Sequence, residues 1–193
     1  MYSKYLNSKA EKQILKWEKD FHVKIEISRP SKTRLGVFIP KQNGENIIRI
    51  NQDLNRYSFL ITIIHELAHA SVWKKFAANV NPHGIEWKNE FKSMMLPFLN
   101  PVFFPEDILR SLALHMINPK SSTVRDISLS EILRSYNKSK SITIKDLKDG
   151  DYFRVSNGKE FKRIEKLRKN YKCKELLSGR LYSFSPLSEV IPL

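Results

Sequence analysis

The chain has 193 residues, 41% of them hydrophobic, one cysteine and a formal net charge of +14. That length carries one or two domains with an adequate core, and the lone Cys173 excludes an internal disulfide and fits a reducing, cytoplasmic setting. No apolar run reaches the about 18 residues that suggest a membrane span, and the start, Met1-Tyr2-Ser3-Lys4-Tyr5-Leu6, lacks the apolar core of a signal peptide.

Residues Ser8 to Phe21 set Ile14, Leu15, Trp17 and Phe21 among lysines, the pattern of an amphipathic helix. Val23 to Ile27 alternates apolar and charged residues and reads as a strand. Arg34 to Ile39 and Asn46 to Asn51 read as two more, joined by a turn at Gln42-Asn43-Gly44. Phe59 to Trp73 is apolar, without proline or glycine, which predicts a buried helix.

That helix contains His65-Glu66-Leu67-Ala68-His69. Residues four apart share a helix face, so both imidazoles point the same way and can hold one Zn²⁺ at about 2.0–2.1 Å per nitrogen. Glu66 sits beside the metal, not on it, where a carboxylate can take a proton from water; the pattern is a known metalloprotease signature. Two satisfied core histidines and a paired glutamate would give the same string. Burial in an apolar helix makes that costly unless the groups are paired or bound to metal.

A catalytic zinc needs a third protein ligand and an open position. The short metzincin continuation requires Gly at 72 and His at 75; Val72 and Lys75 stand there instead. The next histidine is His83, in a turn marked by Pro82 and Gly84, with a helix following from about Ile85 to Leu96. A return of the chain there would bring His83 to the metal. Glu86 and Glu90 compete as ligands, and His83 is preferred because histidine is the commonest metal ligand.

A further helix opens at Pro105-Glu106-Asp107 and turns Ile108, Leu109, Leu112, Ala113 and Met116 inward. Asn118 to Ser128 has linker composition, and Ser128-Leu129-Ser130-Glu131 resembles a capping box that starts a short helix to about Tyr136. From Ile142 the pattern turns to strands, with hairpin signals at Asn157-Gly158 and Ser178-Gly179. His22 is expected at the surface, and His115 near a helix C-terminus, where the dipole favours a cation; neither has metal-ligand spacing. Cys173 lies between Lys172 and Lys174, which admits a lowered-pKa thiol, but a small buried strand residue is the simpler reading.

The positive charge points to a polyanionic partner, nucleic acid first, although a lysine-rich surface can serve solubility alone. Lys159 to Lys174 holds eight basic residues against two acidic ones. Within it, Lys162, Arg163, Lys166, Arg168 and Lys169 are the candidate nucleic-acid contacts, with a solvated face as the alternative. Strand alternation prevents all five from touching one ligand.

The run His65 to Ala70, His83-Gly84 and Trp87-Lys88 together resemble the SprT/Spartan-like zinc metalloproteases. Arg34 to Phe38 and Ile47 to Asn51 also look like that family's strands, and the likeness covers roughly residues 5–118. It implies His65, His69 and His83 as zinc ligands, Glu66 as general base, and protein substrates bound or crosslinked to DNA. Many members carry a cysteine-rich zinc ribbon after the protease domain, which a chain with only Cys173 cannot build.

The sequence therefore predicts an α+β chain. Residues 1–118 form a metalloprotease domain with an N-terminal helix, a small sheet and a zincin-like zinc-binding helix pair. Residues 119–141 form a linker with a short helix. Residues 142–193 form a small antiparallel β module, either an SH3-like barrel or a metal-free ribbon-like sheet. The expected function is a zinc-dependent endopeptidase with one Zn²⁺ per chain, a protein substrate, DNA as partner and no membrane association, with a monomer as the default state. The competing readings are a nucleic-acid-binding or scaffold protein with a structural zinc, and a zinc enzyme acting on a small molecule.

Overall fold

In the computed structural model, which describes residues 2–31, 34–42 and 44–193, the amphipathic stretch near the start forms α1 (Ser8–Asp20). Asn7 caps it by accepting from the amide of Ala10, and Ala10 and Ile14 face the core. The alternating stretches form β1 (Val23–Ser28), β2 (Gly36–Ile39) and β3 (Asn46–Asn51). Their sheet has the order β1-β3-β2, with β1 parallel and β2 antiparallel to β3, which leaves β2 at an edge. The turn expected at Gln42-Asn43-Gly44 includes Asn43, which lies outside the described residues.

The apolar run becomes α2 (Arg56–Phe76), buried almost throughout from Phe59 to Val72. Asn55 caps it through Oδ1, which accepts from the amides of Tyr57 and Ser58. After a turn, α3 (Ile85–Met95) packs on α2 and buries Trp87, Phe91, Met94 and Met95. Then α4 (Glu106–Ile117) starts after Pro105, with two acidic residues in its first turn, where the helix dipole favours them.

The domain boundary expected at Asn118 is displaced. The first compact unit extends to Asn137 and the second begins at Lys138. The stretch read as a linker contains α5 (Ile127–Ser135), whose Leu129 and Leu133 belong to the core of the first unit. Asp126, not Ser128, caps α5. The side-chain amide of Asn55 donates to the carbonyl of Leu133 at 2.8 Å and to Asn137 Oδ1 at 2.6 Å. The end of α5 is thus tied to the start of α2. His115 is buried near the end of α4, and its Nδ1 donates to Asp126 Oδ2 at 2.9 Å.

The second unit holds β4 (Tyr152–Arg154), β5 (Glu160–Lys166), β6 (Tyr171–Glu175), β7 (Leu181–Phe184) and β8 (Ile191–Pro192). They form one antiparallel sheet of order β7-β6-β5-β4-β8. Phe153, Phe161, Tyr171 and Cys173 face its core with Ile144, Leu147 and Val190. Arg163, expected among the nucleic-acid contacts, is instead buried there. Its guanidinium donates to Asp149 and to the carbonyls of Ile144 and Leu147, and lies 4.1 Å from the Tyr171 ring centroid. Burial also pushes the Cys173 thiol up to about 11, so its lysine neighbours do not activate it. No helix among the described residues is long and apolar enough to cross a membrane.

Candidate metal centre

His65 and His69 stand one turn apart on α2, and the turn before α3 delivers His83 to them. His83 Nε2 lies 3.0 Å from His69 Nε2 and 3.2 Å from His65 Nε2. Nitrogens bound at about 2.0–2.1 Å to a tetrahedral zinc stand about 3.3 Å apart, so the three imidazoles fit such an ion. Among the described residues these three histidines are the group that could hold a metal, their ligand atoms lying within 4.8 Å of one another.

The backbone is shaped to present His83. Its φ of 60° is left-handed, a conformation in which histidine is enriched among non-glycine residues. A Cβ on Gly84 would lie 2.9 Å from the Asn81 carbonyl oxygen, so the turn closes only with glycine there. Trp87 backs all three imidazoles. It stacks on His69 with ring centroids 5.2 Å apart and lies 4.5 Å from His65 and 4.7 Å from His83. The glutamates considered as rival ligands are placed otherwise: Glu90 accepts from Ser71 Oγ and Lys75 Nζ, each at 2.6 Å, and Glu86 Oε2 lies at the Gly84 turn.

Electrostatics prepare the donors. Burial, with the other imidazoles adding repulsion, holds His65 well below its usual pKa and brings His69 down to about 3. Burial also lowers His83, helped by the Arg125 charge. All three are therefore neutral near pH 7, the form that binds metal. Burial pushes the Glu66 carboxyl up to about 8, while a hydrogen bond from the Phe38 backbone pulls it down. A dication beside Glu66 would favour its carboxylate form.

These residues line a cavity of about 550 Å³. One wall is the edge strand β2 with its flanks, from Arg34 to Phe38, and another is Val72, Trp73, Ala77 and Val80. Ser121, Ser122 and Thr123 close a third side. Sequence reasoning assigned that third segment to a linker, and it also missed Gly36 and Thr62 beside Glu66. The paired apolar positions Leu129 and Leu133, four apart, were the available sign that the region folds onto the core.

The SprT-like family profile matches residues 3–101, just over half of the chain. The chain belongs to the SprT-like family. No curated protein and no solved structure matches it. SprT-like membership suggests a zinc-metalloprotease-like domain, and the three-histidine cluster falls within the matched segment. The wall at Ser121–Thr123 and the whole of the second unit lie beyond that segment.

Proposed function

We propose that this SprT-like chain is a zinc-dependent endopeptidase acting on proteins bound or crosslinked to DNA. The observation that carries the reading is the convergence of His65, His69 and His83 beside Glu66, in a cavity walled by an edge strand. Three ligands leave a tetrahedral ion one open position, as catalytic zinc requires and a closed structural site does not offer.

Bound zinc would lower the pKa of a water towards about 7 and polarise the substrate carbonyl. Glu66 accepts the proton of the attacking water on a carboxylate oxygen and returns it to the leaving amine. β2 lies at the edge of its sheet, so an extended substrate can add alongside it through backbone hydrogen bonds. The apolar wall of Val72, Trp73, Ala77 and Val80 favours a hydrophobic side chain near the scissile bond. This is a zincin-like division of labour, with the first unit as the peptidase. The second unit is the nucleic-acid module, consistent with the net charge of +14.

The test is cleavage of an unstructured protein such as casein by zinc-loaded protein and by its Glu66→Gln variant. The variant should retain zinc and fold while losing at least about a hundredfold in rate. Equal rates in the two proteins would overturn the peptidase reading.

A further inference from the structure

The outward face of the second sheet carries one cross-strand row unlike its neighbours. Register sets Tyr152, Lys162, Lys174 and Leu181 side by side on β4, β5, β6 and β7. The residues that alternate with them, Phe153, Phe161 and Cys173, point into the core, so this row faces out. Elsewhere on that face charges are matched across strands: Arg154 meets Glu160 at 2.7 Å and Lys172 meets Glu165 at 2.9 Å. Lys162 and Lys174 instead face each other directly, and neither has a carboxylate partner among the described residues. Like charges opposed in this way destabilise a sheet. Next in the row, Tyr152 is 45% exposed, with the Lys162 ammonium 5.3 Å from its ring centroid.

A half-exposed aromatic ring with an ammonium over one face, beside a second lysine and no carboxylate partner among the described residues, matches a ligand with both a flat π-surface and repeated negative charge. We propose that the Tyr152–Lys162–Lys174 row binds single-stranded nucleic acid. A base stacks on Tyr152, and Lys162 and Lys174 take neighbouring phosphates. Adjacent strands lie about 4.8 Å apart, so the row spans about 10 Å from Tyr152 to Lys174, a reach suited to neighbouring nucleotides. A duplex hides its base faces and offers Tyr152 nothing to stack on. An acidic peptide would satisfy the lysines and leave the ring unused. Lys166, Arg168 and Lys169, exposed at the end of β5 and in the turn after it, extend the positive field along the strand path. The inference deepens the reading of the protein as a peptidase for DNA-bound proteins by naming the form of nucleic acid and the surface that holds it.

The test uses the full chain and fluorescence anisotropy, with a labelled oligothymidylate of about twenty nucleotides, a duplex of equal length, and polyglutamate as competitor. Single strands should bind more tightly than the duplex. Tyr152→Ala should weaken single-strand binding by about tenfold or more, and Tyr152→Phe should restore it. Replacing Lys162 and Lys174 together by Gln should reduce the logarithmic salt slope by about 1.4, the amount expected for two lost phosphate contacts. Unchanged single-strand affinity in Tyr152→Ala, tighter binding to the duplex, or displacement by polyglutamate as effective as by unlabelled oligonucleotide would each overturn the proposal. Casein cleavage by the parent protein reads the metal centre separately. Its failure would sink the peptidase reading and leave this binding result standing.

Discussion

Gly36 is packed against Glu66: a Cβ added to Gly36 would lie 3.0 Å from Glu66 Cγ, 3.1 Å from Glu66 Oε1 and 2.7 Å from Thr62 Cγ2. The first residue of the edge strand β2 thus sets how closely that strand approaches the proposed general base. The strand and the base form one unit, which also explains why the Phe38 backbone can reach the Glu66 carboxylate.

Gly36→Ala is therefore expected to displace Glu66 while leaving the three histidines in place. Overpacking of this kind costs about 1–3 kcal/mol. Zinc content should stay near that of the parent, and casein cleavage should fall by about tenfold or more, since small misplacements of a catalytic group are costly. Parental cleavage in a folded Gly36→Ala protein would show that the approach of β2 does not set the position of Glu66.

The proposed third ligand can be tested without disturbing the backbone. Asparagine tolerates left-handed φ, so His83→Asn removes the imidazole at little conformational cost. The parent should hold about one zinc per chain after dialysis, and His83→Asn should hold far less. Glu90→Gln should keep its zinc, because Glu90 is engaged with Ser71 and Lys75. Elemental analysis of the dialysed proteins reads the outcome directly. Chelation should lower the thermal midpoint of the parent and leave that of His83→Asn almost unmoved, since only a ligand bound to the native state stabilises it.

The pair of buried His115 and half-buried Asp126 gives a pH dependence. Burial alone would raise the Asp126 carboxyl, but hydrogen bonds from His115 and the Leu129 amide, with Lys120 nearby, hold it below its ordinary value of 3.8. A depressed carboxyl contributes stability that is present above its unfolded pKa and lost as pH falls through the lower, folded value. Asp126→Asn keeps the cap of α5 and removes the charge. It should cost about 1 kcal/mol or more at pH 7 by denaturant unfolding, and the difference from the parent should shrink below about pH 4. A difference that stays constant into acid would show that the charge on Asp126 contributes nothing.

Cys173 offers a probe of the second unit. It is fully buried and its thiol is pushed up to about 11. Reaction with a disulfide reagent at pH 8 should be slow in native protein and fast in denaturant, because the thiolate is both scarce and enclosed. Prompt labelling under native conditions would show that the sheet opens readily.

The metal helix was legible because its signals are local. The His65–His69 spacing falls on one helix face, and an unbroken apolar run marks a buried helix. His83 was legible from the turn around it, where Pro82 and Gly84 flank the candidate ligand. Gly36 was not, because its role depends on an approach between β2 and α2 that no sequence period encodes. Residues 119–141 read as a linker with a short helix because the serines, threonine and proline at its start carry turn chemistry. Thr123 is nevertheless buried, and its carbonyl accepts from Ser130 Oγ on α5. Arg163 was misplaced although its parity with Phe161 already put it on the inner face of β5.

The tie between Asn55 and α5 sets how the protein can be trimmed. A fragment ending at residue 101, where the family match stops, would strip the Asn55 amide of its acceptors at Leu133 and Asn137 and remove the cavity wall at Ser121–Thr123. Its metal helix would begin at a loosened cap, and apolar surface that Leu129 and Leu133 now cover would meet water. The shortest self-sufficient fragment carrying the proposed peptidase site is therefore expected to end at Asn137, and shorter ones to aggregate before their chemistry can be measured.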